Sequence, residues 1–547
     1  MRTSLSAAAV MSLLAGNAIA QGAVEPILFS DGIIPGAVDP TGAPETIWQT
    51  GLYRIANSPD RSRWAIRVNH TSASSNEYII RGQGTVGEMV VHARDTEATV
   101  PSSSTPIFYI SERELSINDA GELAVGGSET AAATTDTAYK VVPGQPVTIV
   151  AQEGNPSFVR PQPTLFEYPV TPSIPDPLLF NSLSVGDISN TGKVVVIDTD
   201  IDQALLWDNG SYSVLVEDDD PISVPELPGN VVTQMFSTGA NLNRASAWFF
   251  ENPGEDPLFG LFGATNVLSD DANFNGLTDE LSTDPATLLV QDPTTGNLST
   301  FGFEGGTIDG RSIENGLTGW LDADGNTYVT SIGGFFFPPA DAFGAINGEI
   351  VADIGLPVGS DIAGEAWFNA PAGSNGSPIF LLDRRPDGAY IIGGVTNNPA
   401  VVDGINANKV IIFVAPDGTR TELVRTGDEF EVTLPDGTTQ TRRIAQFNQS
   451  DATYSGYIDD THLYFLAGTT PFAGTIPDDL FARIELPSVG TDCACDVNND
   501  TLCTSADFFA WVSAFGSQAP ECDVNNDSLC TSADFFAWVS AFGQGCD

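Results

Sequence analysis

The sequence predicts a mainly β protein: a body of repeated sheets closing into a propeller of about seven blades, followed by a small α-helical domain. Three observations predict it. Across residues 21–486, short runs rich in Val, Ile, Tyr and Phe alternate with Gly, Asp, Asn and Pro clusters, without a sustained helical period. A polar turn followed by an apolar run recurs along that stretch. Beyond it, residues 495–516 and 522–543 are the same 22-residue unit written twice, with Ser528 in the second copy where Thr501 stands in the first.

The chain opens with Arg2, an apolar stretch over residues 7–15 and a small-residue site at Ala18-Ile19-Ala20, the pattern of an export signal over residues 1–20 that leaves a mature chain starting at Gln21. That run is too short to span a bilayer. No later window offers about 20 uninterrupted apolar residues, so the reading is a secreted or cell-surface protein with no transmembrane segment. The formal charge of −50 repels nucleic acid and anionic membranes and favours cations, while 41% hydrophobic residues suffice for a folded core.

In the body, strands are predicted at 193–197, 213–216, 409–414 and 421–424, with hairpin turns at 207–210 and 414–418. The recurring turn is clearest at 117–121 before Leu123 and at 189–192 before Val194. Related forms stand at 322–325 and 385–388, and degenerate ones at 57–61, 241–244 and 448–451. Seven units spaced by roughly 60–70 residues give one four-stranded blade each. Stacked β-sandwiches are the alternative arrangement. The Asn118-Asp-Ala-Gly-Glu-Leu-Ala124 stretch resembles the Asn-x-x-Gly-x-x-Ala-Phe tandem repeats of bacterial surface proteins.

Chemistry is sparse in the body. His70, His92 and His462 are the three histidines, and no HExxH, GxSxG or phosphate-loop pattern surrounds them, which argues against a Ser-His-Asp hydrolase and a catalytic zinc. Paired carboxylates for glycoside hydrolysis stay open, because spatial separation rather than spacing defines them. Residues 322–328 carry the wrong Asp-to-Gly spacing for a sialidase box. Asp271, Asn273, Asn275 and Asp279, with Gly276 at the turn, have the alternation of a calcium loop, but Ser282 replaces the carboxylate at position twelve.

Residues 487–492 read as a linker, and 493–547 as a separate domain; from residue 484 onward there is no Lys or Arg. Each 22-residue unit begins with the spacing of an oxygen-ligand calcium loop: Asp496, Asn498, Asp500 and Asp507 in one copy, Asp523, Asn525, Asp527 and Asp534 in the other. The Leu502 and Leu529 carbonyls, and Thr504 and Thr531 or water, complete a shell for Ca2+. Position six, usually Gly, is Thr501 or Ser528, which costs roughly 1–2 kcal/mol if the residue must turn left-handed. After the loop, Phe508, Trp511, Val512 and Phe515 fall on one helix face, and Gly516 ends the period.

This loop–helix duplicate resembles a dockerin, the cellulosome-type module that binds a cohesin, and specifically the GC-type dockerins of planctomycete secreted proteins, whose Gly-Cys ending is matched by Gly545-Cys546. The resemblance covers residues 493–547. It implies a cohesin-like partner, contacted through loop positions ten and eleven, Ser505 and Ala506 with Ser532 and Ala533, on two faces related by a pseudo-twofold axis. Those serines also suit helix N-caps, a role compatible with partner contact. All six cysteines, Cys493, Cys495, Cys503, Cys522, Cys530 and Cys546, lie here and read as disulfides in a domain too small for a core alone. Repeat symmetry allows Cys495–Cys503 with Cys522–Cys530, or Cys495–Cys522 with Cys503–Cys530; either leaves Cys493–Cys546. A zinc site would lack histidine and any CxxC pair.

The expected function is therefore a secreted, non-catalytic surface protein docked through a calcium-dependent module, its propeller body binding an unknown ligand, for which a carbohydrate is one candidate. The alternative is a carbohydrate-active hydrolase or lyase carried by the same module.

Overall fold

The computed structural model describes residues 23–487 apart from 40, 49–50, 71–75, 95–108, 129–135, 156–179, 181–182, 199–202, 218–229, 236–246, 251–257, 268–285, 292–296, 304–305, 314–316, 332–341, 369–377, 448–455 and 471–478, and it describes 495–544 apart from 496, 499–503, 518, 520–521 and 525–528. The expected signal peptide lies outside the described residues, as does the candidate calcium loop formed by Asp271, Asn273, Asn275 and Asp279.

Seven antiparallel sheets of four or more strands follow one another along the described chain. Blade 1 runs Leu52–Asn57, Trp64–His70, Asn76–Gln83 and Val86–Arg94. Blade 2 is Tyr109–Ile117, Leu123–Ser128, Asp136–Val141 and Thr148–Gln152. Blade 3 is Leu183–Ile188, Val194–Asp198, Gln203–Asp208 and Ser211–Glu217. In blade 4 both Asn230–Met235 and Ala247–Phe250 pair with Leu258–Val267, followed by Ala286–Gln291 and Leu298–Phe303. Blade 5 is Leu317–Leu321, Thr327–Ser331, Phe343–Ile346 and Glu349–Asp353. Blade 6 is Ile379–Arg384, Tyr390–Val395, Lys409–Val414 and Arg420–Arg425.

Blade 7 closes the ring. Its strands Gly456–Ile458, His462–Thr469 and Leu480–Glu485 are completed by Glu25–Phe29 from the other end of the chain, with Glu25 opposite Arg483 and Phe29 opposite Leu480. Joining the first strand to the last makes every blade the neighbour of two others. This architecture is a β-propeller, and the stacked-sandwich alternative falls because a sandwich has no such ring closure. A further hairpin, Glu429–Thr433 and Thr439–Gln446, joins the same sheet at Thr469.

The cores lie between blades. Ile79 and Val91 of blade 1 meet Leu115 and Val125 of blade 2, and Val195 of blade 3 meets Leu289 of blade 4. Phe380 and Ile391 of blade 6 meet Phe465 and Ile484 of blade 7, whose opposite face packs Tyr464 and Phe481 against Trp64 of blade 1. The strands at 194–198 and 409–414 are buried on both sides, which explains their unbroken apolar runs. The 207–210 turn is a two-residue hairpin loop, with Asn209 and Gly210 both left-handed at φ 47° and 91°.

The recurring turn joins the innermost strand of a blade to its second strand. In blades 2, 3, 5 and 6, the amide of Gly121, Gly192, Gly325 or Gly388 donates to the carbonyl three residues earlier, and these glycines hold φ between 77° and 92°. Blade 7 corrects the sequence reading. Its turn is Asp459-Asp460-Thr461, where Asp459 Oδ1 accepts the amides of Thr461 and His462, whereas residues 448–451 lie outside the described residues, as do 241–244.

Among the described residues the C-terminal segment contains two helices, α1 (Ser505–Ser517) and α2 (Ser532–Gln544). Among the described residues no helix is long and apolar enough to cross a membrane.

Candidate functional site

The turns gather around the propeller axis and hydrogen-bond from blade to blade. Asp119 Oδ1 accepts the Asp60 amide at 2.8 Å, Asn190 Oδ1 accepts the Asp119 amide at 2.9 Å, and Asn190 Nδ2 donates to Asp119 Oδ2 at 2.6 Å. On the other side of the ring Arg385 Nη1 donates to the Asp460 carbonyl at 2.8 Å. The short polar side chains that shape each turn thus also join it to the next.

Blade 1 departs from the pattern in an informative way. Its turn is Ser58-Pro59-Asp60-Arg61, and the Arg61 amide donates to the Ser58 carbonyl at 2.8 Å, so Arg61 occupies the position held by glycine in four other blades. Its φ of 60° is unfavourable for a residue with a Cβ. What offsets that strain is the side chain, which reaches three other blades. Nη1 donates to Asp383 Oδ2 at 2.6 Å and to the Ile458 carbonyl at 2.8 Å; Nη2 donates to the Arg384 carbonyl at 2.5 Å and to Asp322 Oδ2 at 3.3 Å, with Asp324 3.6 Å away. Tyr328 Oη donates to Asp322 at 2.5 Å and accepts the Arg384 amide at 3.0 Å. Burial opposes the charge on Arg61, but Asp383 and its neighbours more than compensate and raise its pKa. Burial pushes Asp383 up to about 6 against the pull of Arg61, and burial followed by Asp322 holds Tyr328 well above the usual phenol range.

This clamp borders a cavity of about 130 Å³ on the axis, lined also by Arg54, Ser116, Asp187 and Tyr457. Nearby, Glu114 lies on the innermost strand of blade 2 and accepts the Val185 amide from blade 3 at 3.2 Å. Burial pushes its carboxyl up to about 7, and Asp136 adds to the effect. A carboxyl raised on folding stabilises the fold fully below its unfolded value, and that contribution is lost as pH rises through about 7. Glu114→Gln removes the loss. The variant is expected to be more stable than the parent by roughly 1–3 kcal/mol at pH 8 and equal to it near pH 4, as read from urea midpoints across that range.

The three histidines do not converge. His70 Nδ1 lies 2.6 Å from the Thr46 carbonyl, His92 stacks on Tyr78, and His462 Nδ1 lies 2.7 Å from Thr461 Oγ1.

In the C-terminal domain the two repeats clasp each other. Trp511 Nε1 donates to the Cys522 carbonyl at 3.1 Å and Trp538 Nε1 to the Cys495 carbonyl at 2.9 Å, so each helix reaches the loop of the other repeat. Phe508 meets Phe535 and Trp538, while Trp511 meets Phe535. These reciprocal contacts are those of a pseudo-twofold pair. The buried stripe is rotated from the expected one: Trp511 and Ala514 are buried with Phe508 and Phe515 beside them, whereas Val512 faces out. Val512 lies at the edge of the stripe, about 100° round the helix from Trp511.

The helix caps also differ from the expectation. Thr504 Oγ1 accepts the Ala506 amide at 3.1 Å and Thr531 Oγ1 accepts the Ala533 amide at 3.1 Å, so the threonines are the N-caps and Ser505 and Ser532 are the first helical residues. The Thr504 amide returns to Asp507 Oδ2 at 2.8 Å and the Thr531 amide to Asp534 Oδ2 at 2.6 Å, a capping box with Asp as its acid. The Thr504 and Thr531 hydroxyls, candidate ligands at loop position nine, are thereby engaged at the helix start.

Asp507 and Asp534 are both fully buried in a segment without Lys or Arg. Burial opposes the Asp507 carboxylate, but the Thr504 and Asn498 amides donate to it and hold its pKa below the usual range. The Asn498 amide, 3.2 Å from Asp507 Oδ1, ties the loop back to the helix start. Two buried carboxylates on loops rich in oxygen ligands, in a stretch of sequence without Lys or Arg, suit a hard divalent cation. Asp523, Leu529 and Thr531 are likewise described, whereas Asp496, Asp500, Leu502, Asn525 and Asp527 lie outside the described residues. Among the described residues no group of three or more His, Cys, Asp or Glu stands together as a metal cluster.

Cys522 and Cys530 form a disulfide, which selects pairing within a repeat and overturns the alternative that joins Cys495 to Cys522. Their Cα atoms are 5.5 Å apart, well within bridging range. Cys495 is also disulfide-bonded, while Cys493, Cys503 and Cys546 lie outside the described residues.

Sequence reasoning missed two sets of residues. Arg61 was visible in principle, since aligning the turns places it in a glycine column. Phe509 and Phe536, 69% and 70% exposed, stand outward on their helices with Val512 and Val539, one turn beyond Ser505 and Ser532. Their signal was an aromatic at the same off-stripe position in both copies.

No family model matches the sequence, and no curated protein matches it. Solved structures similar to it include YCF48 from Cyanidioschyzon merolae (10% identity, 80% of this chain and 96% of that one, TM-score 0.32). Another is the periplasmic gluconolactonase PpgL of Pseudomonas aeruginosa (11% identity, 80% of this chain and 99% of that one, TM-score 0.29). An uncharacterised protein of Listeria monocytogenes is similar at 10% identity over 80% of this chain and 93% of that one, with a TM-score of 0.32. The propeller assignment rests on the strand pairing and ring closure of the chain itself.

Proposed function

We propose that this is a secreted, non-catalytic β-propeller protein attached to a cohesin-like partner through its C-terminal loop–helix pair, which binds Ca2+ in both loops. The observation that carries the reading is the paired outward face. Phe509 and Val512 on α1, and Phe536 and Val539 on α2, are exposed at equivalent positions beside Ser505-Ala506 and Ser532-Ala533. A large aromatic left in water twice, in register, on a domain that can bury few residues, is the mark of a surface kept for a partner. The buried Asp507 and Asp534 support the calcium part, and the expected export signal at residues 1–20 supports secretion. For the body, the axial acids Asp322 and Asp383 are committed to Arg61, Tyr328 and backbone amides, which supports structural rather than catalytic work for them.

Calorimetry on the full chain tests the calcium reading. The parent is expected to take up two Ca2+ per chain, and Asp496→Ala with Asp523→Ala to weaken both sites by at least about 100-fold. A parent chain that takes up no calcium overturns it.

A further inference from the structure

The axial cavity bordered by the Arg61 clamp has further walls that the clamp does not use. The innermost strands of blades 1 and 3 slip register with the next strand between Leu52 and Ile55 and between Val185 and Ile188. Arg54 and Asp187 sit in these two bulges, and both line the cavity. A bulge turns a side chain out of the alternation of its strand, here towards the axis. Asp187 Oδ1 accepts the Ile188 amide at 2.8 Å and the Ser116 hydroxyl of blade 2, which fixes the carboxylate in the wall. Tyr457 of blade 7 lines the same cavity and packs in one core cluster with Ile55, the neighbour of Arg54. Tyr457 is 3% exposed, and among the described residues its hydroxyl has no hydrogen-bond partner. A hydroxyl buried in this way costs stability unless a group inside the cavity meets it.

The lining selects the kind of group that does. Three carboxylates, of Asp187, Asp322 and Asp383, stand against two guanidiniums, of Arg54 and Arg61, so the cavity favours positive charge, as does the net charge of −50 on the chain. Among the described residues no three acids gather at one point, which suits an organic cation better than a bare metal ion. Trp320 and Tyr457 are buried and stacked on Tyr328 and Tyr464, at 5.0 and 4.8 Å, which leaves no open ring face for a sugar or a quaternary ammonium. A volume of about 130 Å³ holds roughly six non-hydrogen atoms.

We propose that the axial cavity binds a small hydroxyalkylammonium ion, its ammonium donating to Asp187 and its oxygen accepting from Arg54 and the Tyr457 hydroxyl. The inference stands apart from the calcium reading, since none of these residues belongs to the C-terminal domain.

Ligand-observed NMR titration of the full chain with ethanolamine, in EDTA to keep the calcium loops out of the measurement, tests this. The parent is expected to bind with a Kd of about 1 mM or below, and at least about 10-fold more tightly than it binds ethylene glycol, which lacks the charge, or ethylamine, which lacks the oxygen. Asp187→Asn is expected to weaken ethanolamine about 30-fold or more. Tyr457→Phe, which keeps the ring and its stack, is expected to weaken it about 10-fold with an unchanged urea midpoint and to leave ethylamine unaffected. A parent that binds none of the three probes overturns the site. Ethylene glycol bound as tightly as ethanolamine overturns the preference for a cation. Ethanolamine uptake that both variants leave unchanged is attraction to the acidic surface, and overturns the proposal as well.

Discussion

Arg61→Gly is expected to destabilise the propeller by about 1–4 kcal/mol even though it installs the residue that the equivalent turns of blades 2, 3, 5 and 6 carry. Removing one partner of a buried ion pair costs about 3–5 kcal/mol because the remaining charges lose their compensation. Here Asp383 and Asp322, neighbours on either side of the Tyr328 hydroxyl, are left without their shared cation, and the carbonyls of Arg384 and Ile458 lose a donor. Relief of the left-handed backbone strain returns roughly 1–2 kcal/mol. The deficit has a pH signature. Asp383 is already raised to about 6, so its protonated form is the one the fold favours; without the guanidinium its pKa rises further. Stability contributed by such a group is complete at low pH and lost as pH rises through the folded value, so the variant's deficit shrinks from pH 8 towards pH 5. Urea denaturation followed by tryptophan fluorescence at both pH values reads it. A neutral Arg61→Gly would mean that the axial contacts do not hold the blades together.

Trp538→Ala is expected to unfold the C-terminal domain while leaving the propeller intact. The indole fills the interface between the repeats, stacks on Phe542 at 5.0 Å, packs against Phe508 at 5.5 Å, and donates to the Cys495 carbonyl. Its removal costs about 3–5 kcal/mol, a large share of what so small a domain can have. Because Trp511 makes the mirror contacts to Phe515, Phe535 and the Cys522 carbonyl, Trp511→Ala is expected to cost the same within about 1 kcal/mol. Hydrogen exchange read by mass spectrometry on peptides from α1, α2 and the blades separates the two parts of the chain. Protection of both helices should collapse together in either variant, with blade peptides unchanged. Loss confined to the mutated helix would remove the pseudo-twofold clasp.

The fold was legible because its signals are local. Two-residue turns such as Asn209-Gly210 force hairpins, and apolar runs such as residues 409–414 read as strands whichever blades surround them. The repeated turn indicated seven units before any pairing was known, although its degenerate copy near residue 448 was misplaced, since the seventh turn uses Asp459 and Thr461 with no glycine to mark it. Ring closure was less legible. Glu25–Phe29 meets Leu480–Glu485 from the far end of the sequence, and no local pattern announces a partner that distant. In the C-terminal domain, the loop spacing, the helices and the limited set of disulfide pairings followed from the duplicate. Whether Ser505 or Thr504 caps the helix, and whether Val512 faces in or out, turned on a rotation of one residue that periodicity defines only coarsely.

By itself, the sequence determined that this chain carries a β-repeat body and a duplicated, acidic, cysteine-bound loop–helix pair, because turn chemistry, strand patterning and repeat identity are properties of neighbouring residues. Only the tertiary structure decided that Arg61 bridges blade 1 to blades 5, 6 and 7, that Cys522 pairs with Cys530, and that each tryptophan seals the opposite repeat. Those contacts join groups whose proximity is created by ring closure and by the packing of one repeat on another, and a linear pattern records neither.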